Sequence, residues 1–229
     1  MSNSSLVTYT RLSPNHSGLR KKRIDRISPH CIVGQLSVEA LGDIFASRAR
    51  KASSNYGIGA DGRIGMYVEE QNRSWCSSNA ENDQRAVTIE CASDANPPYE
   101  FKQVVYDRLV ELCVDICKRN DKAKLLWLGD KVKSLNYIPA RDEMVLTVHR
   151  FFANKDCPGD WMFSRMGELA KAVSEQLREV PIFYRVRKSW DKPKTQIAAF
   201  TKLANAKNCV DCNPGYAVFT DTGEKVYPQ

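Results

Sequence analysis

Apolar residues recur along this chain in two alternating periods, and the switches between them mark its elements. Residues 36–50 (LSVEALGDIFASRAR) place Leu36, Ala40, Ile44 and Phe45 at helical spacing, with Ser37 at the N-cap. The clearest helix is 101–119, where Phe101, Val104, Val105, Leu109, Leu112, Cys113, Ile116 and Cys117 form one stripe. A last helix, FSRMGELAKAVSEQL, ends near Leu177. Period-two runs lie between these segments. NYGIG and RIGMYVEE flank Asp61-Gly62 as a hairpin, AVTIEC (86–91) puts Thr88 and Glu90 on one face, and LLWLG (125–129) and MVLTVH (144–149) are further strands. In MVLTVH, Met144, Leu146 and Val148 share one face while Thr147 and His149 share the other. Strands interleaved with helices predict a mixed α/β domain with a central β-sheet flanked by helices.

Near Val180-Pro181 the pattern restarts. FYRVRKSW reads as a strand, IAAFTKLANAKNC as a helix, and YAVFTDTGEKVY as a hairpin around Thr222-Gly223. The expectation is a first domain over 1–178 and a small α+β C-terminal module over 182–229. The second is either a module with a role of its own or a packing extension of the first.

At 229 residues the chain supports one well-cored domain plus an appendage. No stretch approaches the roughly 18 uninterrupted apolar residues of a membrane span. The first residues, MSNSSLVTYTRLSPNHSGLRKKR, lack an apolar run with a small-residue cleavage site, so they do not read as a secretory signal. The net charge of +7 points to an acidic partner without naming it. No groove-reading motif accompanies the basic residues, which sets nucleic acid aside. Of eight cysteines, Cys113 and Cys117 fall on the apolar stripe of the long helix as core residues, and Cys209 and Cys212 form a lone CxxC. His16, in a polar Ser-Pro-Asn-His-Ser stretch, reads as a solvated loop residue.

The chemistry concentrates in VHRFFANKDCPG. His149 closes a strand-like run, and Cys157 follows eight positions later across a short turn. His30 ends another strand-like segment, RIDRISPHC. Imidazole and thiolate are zinc's preferred ligands, and three of them leave a fourth position open, the arrangement of a hydrolytic site. Taken singly, each residue also has an ordinary reading: a histidine at a strand end, and Glu90 as a charge on a polar strand face.

Four ordered blocks, SPHCIVGQLS, SSNYGIGADGRIGMYVEE, RSWCSSNAENDQRAVTIECASD and VLTVHRFFANKDCPG, resemble zinc-dependent N-acetylmuramoyl-L-alanine amidases of type 2. The likeness is nearest to phage and prophage endolysins of Gram-positive hosts and runs over residues 7–178; the same fold serves the peptidoglycan recognition proteins. The resemblance implies Zn2+ on His30, His149 and Cys157, Glu90 as general base, and Lys155 as the stabiliser of the oxyanion. It puts Tyr56 near a tyrosine that some members use, and Ser77, Ser78, Asn79 and Asn82 where substrate polar groups meet the protein. His30-Cys31 stands where a His-His pair is common at the first ligand, so Cys31 is easily mistaken for a ligand.

The implied partner is bacterial peptidoglycan, with anionic wall polymers on the C-terminal module. The implied location is the host cytoplasm until another factor opens the membrane. The alternative is a recognition protein that grips peptidoglycan without cutting it; relatives of that kind typically lack the cysteine ligand that Cys157 supplies here.

Overall fold

A computed structural model describes residues 2–178 and 183–228. The chain forms two compact units, Met1–Arg178 and Glu179–Gln229. The pattern break expected near Val180-Pro181 lies outside the described residues. No helix among the described residues is long and apolar enough to cross a membrane.

The first unit opens with two short strands, β1 (Tyr9–Thr10) and β2 (His16–Leu19), followed by β3 (Arg26–Cys31). Helix α1 (Val38–Ala46) starts where expected, because the Ser37 side chain accepts the Ala40 amide. The hairpin around Asp61-Gly62 forms from β4 (Tyr56–Ile58) and β5 (Ile64–Met66). Next come β6 (Asn72–Ser74), α2 (Ala80–Arg85), β7 (Ala86–Cys91) and α3 (Gln103–Arg119). The unit finishes with β8 (Lys124–Leu126), α4 (Lys131–Asn136), β9 (Glu143–Leu146) and α5 (Asp160–Leu177).

Seven strands build a mixed, mainly parallel sheet in the order β1-β5-β4-β7-β3-β9-β8, while β2 and β6 pair separately. His16 therefore sits half-buried in a strand, its Nδ1 accepting the Gly18 amide, and is not the loop residue its polar neighbours suggested. The strands read at 125–129 and 144–149 are shorter than their apolar runs. Trp127 leaves β8 to stack on Phe151 at 5.7 Å, and His149 opens a 3-10 turn beyond β9.

Strand alternation gives the sheet two unlike faces. Ile27, Val87, Ile89, Met144 and Leu146 join Leu109, Leu112, Cys113, Ile116 and Cys117 of α3 and Met162, Met166, Leu169 and Val173 of α5 in one core. Each fully buried aliphatic side chain there is worth about 1.5–3 kcal/mol of transfer free energy. The residues between them in sequence, Arg26, Ser28, His30, Thr88, Glu90 and Thr147, therefore face the other way. Polar side chains on that face are buried among hydrogen-bond partners; Thr88, for example, meets Ser74 at 2.8 Å and donates the hydroxyl contact to Asn55 at 3.2 Å.

One buried carboxylate ties the start of the chain into this unit. Glu70, fully buried, accepts from the Tyr56 hydroxyl at 2.6 Å and from both terminal nitrogens of Arg119 at 2.6 and 2.9 Å. The Glu70 amide donates to Asn3 Oδ1, and the Ser4 amide donates to the Tyr56 hydroxyl.

The second unit is a four-stranded antiparallel sheet, order β11-β10-β12-β13, made of β10 (Tyr184–Arg187), β11 (Ala198–Phe200), β12 (Ala217–Phe219) and β13 (Lys225–Tyr227). Helix α6 (Leu203–Asp211) covers one face, packing Ala206 and Val210 against Val186 and Val218. IAAFTKLANAKNC is thus not one helix. Its first residues pair with β10, and the helix begins only at Leu203. Its apolar start satisfies either period, and the strand wins because β10 offers an open edge. Gly223, at φ +90°, lets Trp190 close over the β12–β13 turn, since a Cβ would fall 2.6 Å from the indole nitrogen.

Candidate metal centre and its cleft

The parallel pairing of β3 with β7 places His30 directly beside Glu90 and Ser28 beside Thr88. With the odd-numbered residues turned towards α3 and α5, both functional side chains stand on the opposite face. His149 arrives at the end of β9, the neighbour of β3 on its other side.

Cys157 is delivered by the tight turn after His149. The Phe152 amide returns to the His149 carbonyl at 2.9 Å, and the Arg150 amide closes on the Cys157 carbonyl at 3.1 Å. Gly159 ends that turn with φ +84°, and a Cβ there would lie 2.7 Å from the Pro98 carbonyl oxygen. Only glycine fits both the conformation and the space.

Ligand atoms of His30, His149 and Cys157 lie within 4.8 Å of one another. Cys157 Sγ stands 3.3 Å from His30 Nδ1 and accepts the Cys31 amide at 3.4 Å. The structure therefore resolves the His30-Cys31 pair: His30 contributes its ring to the cluster, whereas Cys31 contributes its backbone. Ser28 Oγ donates its single proton to the Thr147 carbonyl at 3.1 Å and lies 3.3 Å from His30 Nε2. It can then only accept from that nitrogen, which leaves Nδ1 unprotonated and facing Cys157.

Burial, and then the adjacent His149, hold His30 well below its ordinary histidine value. Burial, and then the Lys155 charge, lower His149 as well. Both rings are therefore neutral, as metal ligation requires. Burial pushes the Cys157 thiol far up, a cost that a cation removes by stabilising the thiolate. Glu90 is pushed up to about 7 by burial. Its Oε1 accepts from the Cys76 thiol at 3.6 Å, and its Oε2 is shielded from solvent without any partner. Two neutral imidazoles and a thiol at one point make a donor set that fits a divalent metal, and Glu90 stands next to His30 in register.

A cleft of about 290 Å³ opens beside His149, lined by Lys51, Arg73, Trp75, Ser78 and Asn79 among others. Ser78 Oγ meets His149 Nε2 at 2.9 Å, and Asn79 caps α2 by accepting the Asn82 amide at 2.9 Å. Lys155 is exposed in the turn between His149 and Cys157.

Three residues expected at the substrate lie elsewhere. Tyr56 pairs with Ile89 in register, so its ring turns to the α3 side of the sheet and its hydroxyl is committed to Glu70. Ser77 is buried and donates to Asp83 at 2.6 Å, which fixes the loop before α2. Asn82, also buried, accepts from Thr147 Oγ1 at 3.0 Å beneath the site. All three are framework. Two residues at the site escaped the sequence reading. Ser28 was accessible through the alternation that places it two residues before His30; Cys76 comes from a loop, where no period predicts direction.

The profile of a family described as N-acetylmuramoyl-L-alanine amidase matches residues 20–160. Comparison with curated protein sequences gives no match. Among solved structures, the chain is similar to a mutant endolysin from Bacillus subtilis at 13% identity, over 72% of this chain and 97% of that one, with a TM-score of 0.48. It is also similar to the endolysin N-acetylmuramoyl-L-alanine amidase LysCS from Clostridium intestinale, at 15% identity over 71% and 95% of the two chains, TM-score 0.46. A selenomethionine derivative of AmpD gives 16% identity over 77% and 99%, TM-score 0.48.

Proposed function

Because this chain belongs to the N-acetylmuramoyl-L-alanine amidase family, we propose that it hydrolyses the amide between N-acetylmuramic acid and L-alanine of peptidoglycan with zinc held by His30, His149 and Cys157. The observation that carries the reading is the convergence of those three donors beside a carboxylate oxygen with no partner. Bound there, the metal supplies Lewis-acid polarisation and lowers the pKa of water at the site. Glu90 accepts a proton from the attacking water through Oε2 and returns it to the departing amine. Lys155, exposed and close enough for its charge to lower His149, supplies positive charge to the carbonyl oxygen as it becomes an oxyanion. Ser78 and Asn79, on the cleft wall, meet the substrate's polar groups. A binding-only protein has no use for a third ligand, and Cys157 joins His30 and His149 here, so catalysis is the better reading.

The second unit is assigned to the wall. Its surface pairs cations with aromatic rings, Arg187 over Trp190 at 4.5 Å and Lys188 near Tyr216 at 5.5 Å, and its cations outnumber its acids, which suits an anionic wall polymer. The biological role is that of an endolysin, which acts from the host cytoplasm once another factor opens the membrane.

Incubating the zinc-loaded full chain with purified sacculi and identifying the released termini tests the reaction. New L-alanine amino termini and muramic lactyl carboxylates are expected. New reducing sugar ends, or cleavage within the stem peptide, would replace this assignment with another hydrolase class.

A further inference from the structure

His30 belongs to two donor groups. The second consists of His30, Cys76 and Glu90, whose ligand atoms also lie within 4.8 Å of one another. Cys76 Sγ and Glu90 Oε1 are 3.6 Å apart, Glu90 Oε2 is buried and free, and Cys76 is in no disulfide. The Cys76 position is set by the fold, since its amide donates to the buried Asp83 carboxylate at 3.1 Å. Cys76 also lines the cleft beside His149, which gives an ion a route from solvent.

Ser28 holds His30 Nε2, so His30 has one nitrogen to offer, and that nitrogen faces Cys157. An ion in the first group therefore leaves a thiol and a carboxylate side by side with no metal of their own. Thiolate and carboxylate are both good ligands for zinc. Paired metal sites are common in hydrolases.

We propose that Cys76 and Glu90 bind a second, weaker Zn2+ or Co2+ beside the first, and that this ion inhibits the enzyme by occupying the carboxylate. The inhibitory part rests on the proposed role of Glu90; the binding part does not. With two protein ligands against three, the second ion binds more weakly than the first. Its binding converts the Cys76 thiol to a thiolate and releases that proton, together with any that Glu90 still holds, to solvent.

Titrating the metal-free full chain with Co2+ tests the site through the thiolate-to-cobalt charge-transfer absorption. In the wild type, the band grows with the first equivalent through Cys157 and grows again with a second, weaker equivalent through Cys76. Calorimetry in buffers of different ionisation enthalpy, at a pH where Glu90 is ionised, should count one further proton for the second phase. C76S keeps a donor for Glu90 Oε1 and retains the first phase but loses the second. C76A is read in the same way, the first phase reporting a folded centre. H149A should weaken the first phase and spare the Cys76-dependent one. Amidase activity at excess Zn2+, relative to that at one equivalent, should fall at least tenfold in the wild type and stay near unity in C76S. Saturation of the wild type at one Co2+, or a second phase that survives C76S, overturns the site. Absence of the Cys157-dependent phase would instead count against the proposed function.

Discussion

His30 and Glu90 are register partners on adjacent parallel strands, side by side on the face of the sheet turned away from α3 and α5. The pairing of β3 with β7 therefore sets the distance between the proposed metal ligand and the proposed proton acceptor, independently of any loop. Only His149 and Cys157 depend on a turn, and that turn is closed by its own amides.

Removing a ligand should empty the centre. His149→Ala and Cys157→Ala are expected to lose bound zinc and amidase activity together, while circular dichroism retains the wild-type fold. A chelator should abolish activity in the wild type, and added Zn2+ should restore it. Unchanged zinc content in purified His149→Ala would remove His149 from the ligand set.

Glu90→Gln separates binding from chemistry. The amide cannot take a proton as a carboxylate does, so kcat should fall roughly 100- to 10,000-fold with zinc retained. The pH behaviour follows from a folded-state value raised to about 7 by burial. The metal-free folded protein holds this proton more tightly than the unfolded chain, so stability is lost as pH rises from the ordinary carboxyl range through about 7. Metal-free Glu90→Gln should consequently melt higher than metal-free wild type at pH 8 and alike at pH 4. Bound Zn2+ should move the carboxyl's titration downwards, which isotope-edited NMR can follow.

Ser28→Ala removes the acceptor that fixes His30. Metal affinity should drop about 10- to 100-fold, and nitrogen NMR of the metal-free protein should show the His30 ring as a mixture of tautomers. Ser28→Thr, which keeps the hydroxyl, should restore both. An unmixed tautomer in Ser28→Ala would show that Cys157 alone orients the ring.

Gly159→Ala tests the turn. A methyl 2.7 Å from the Pro98 oxygen at a positive φ should cost about 1–3 kcal/mol and displace Cys157, so the melting temperature and zinc affinity should fall together. Wild-type values for both would mean the backbone yields locally.

Truncation after Arg178 should weaken lysis of whole cells more than cleavage of a small soluble muropeptide. A tethered binder raises effective concentration only at an insoluble polymer, and salt should weaken the full chain's wall binding by screening its cations. Equal losses on both substrates would make the second unit a structural extension.

Much of this was legible because the informative residues sit on regular elements. The α3 stripe and the AVTIEC alternation each have a single period, and Glu90 was correctly turned to the polar face on alternation alone. Ser37 announced its helix through a local hydrogen bond. The misreadings fall where tertiary context decides. Tyr56 looked available because a three-residue strand carries too little pattern to show its face, and only the register with Ile89 sends it inwards. Ser77 and Asn82 sit in a polar run whose buried members can be told from its exposed ones only when Asp83 and Thr147 are in place. The same holds for Ala198–Phe200, whose strand character comes from pairing with β10.

The clamp on Glu70 bears on how this enzyme can be re-engineered. Asn3 and Ser4 are hydrogen-bonded partners of Glu70 and Tyr56, and Arg119 of α3 also reaches the Ser2 carbonyl. The opening residues are therefore built into the amidase unit as firmly as a strand. A fusion joined flush to them, or a trim of the first four, exposes a buried carboxylate in a framework that holds β4 and α3. Chimeras that exchange the second unit have their natural joint at the other end, after Arg178, where one compact unit gives way to the next.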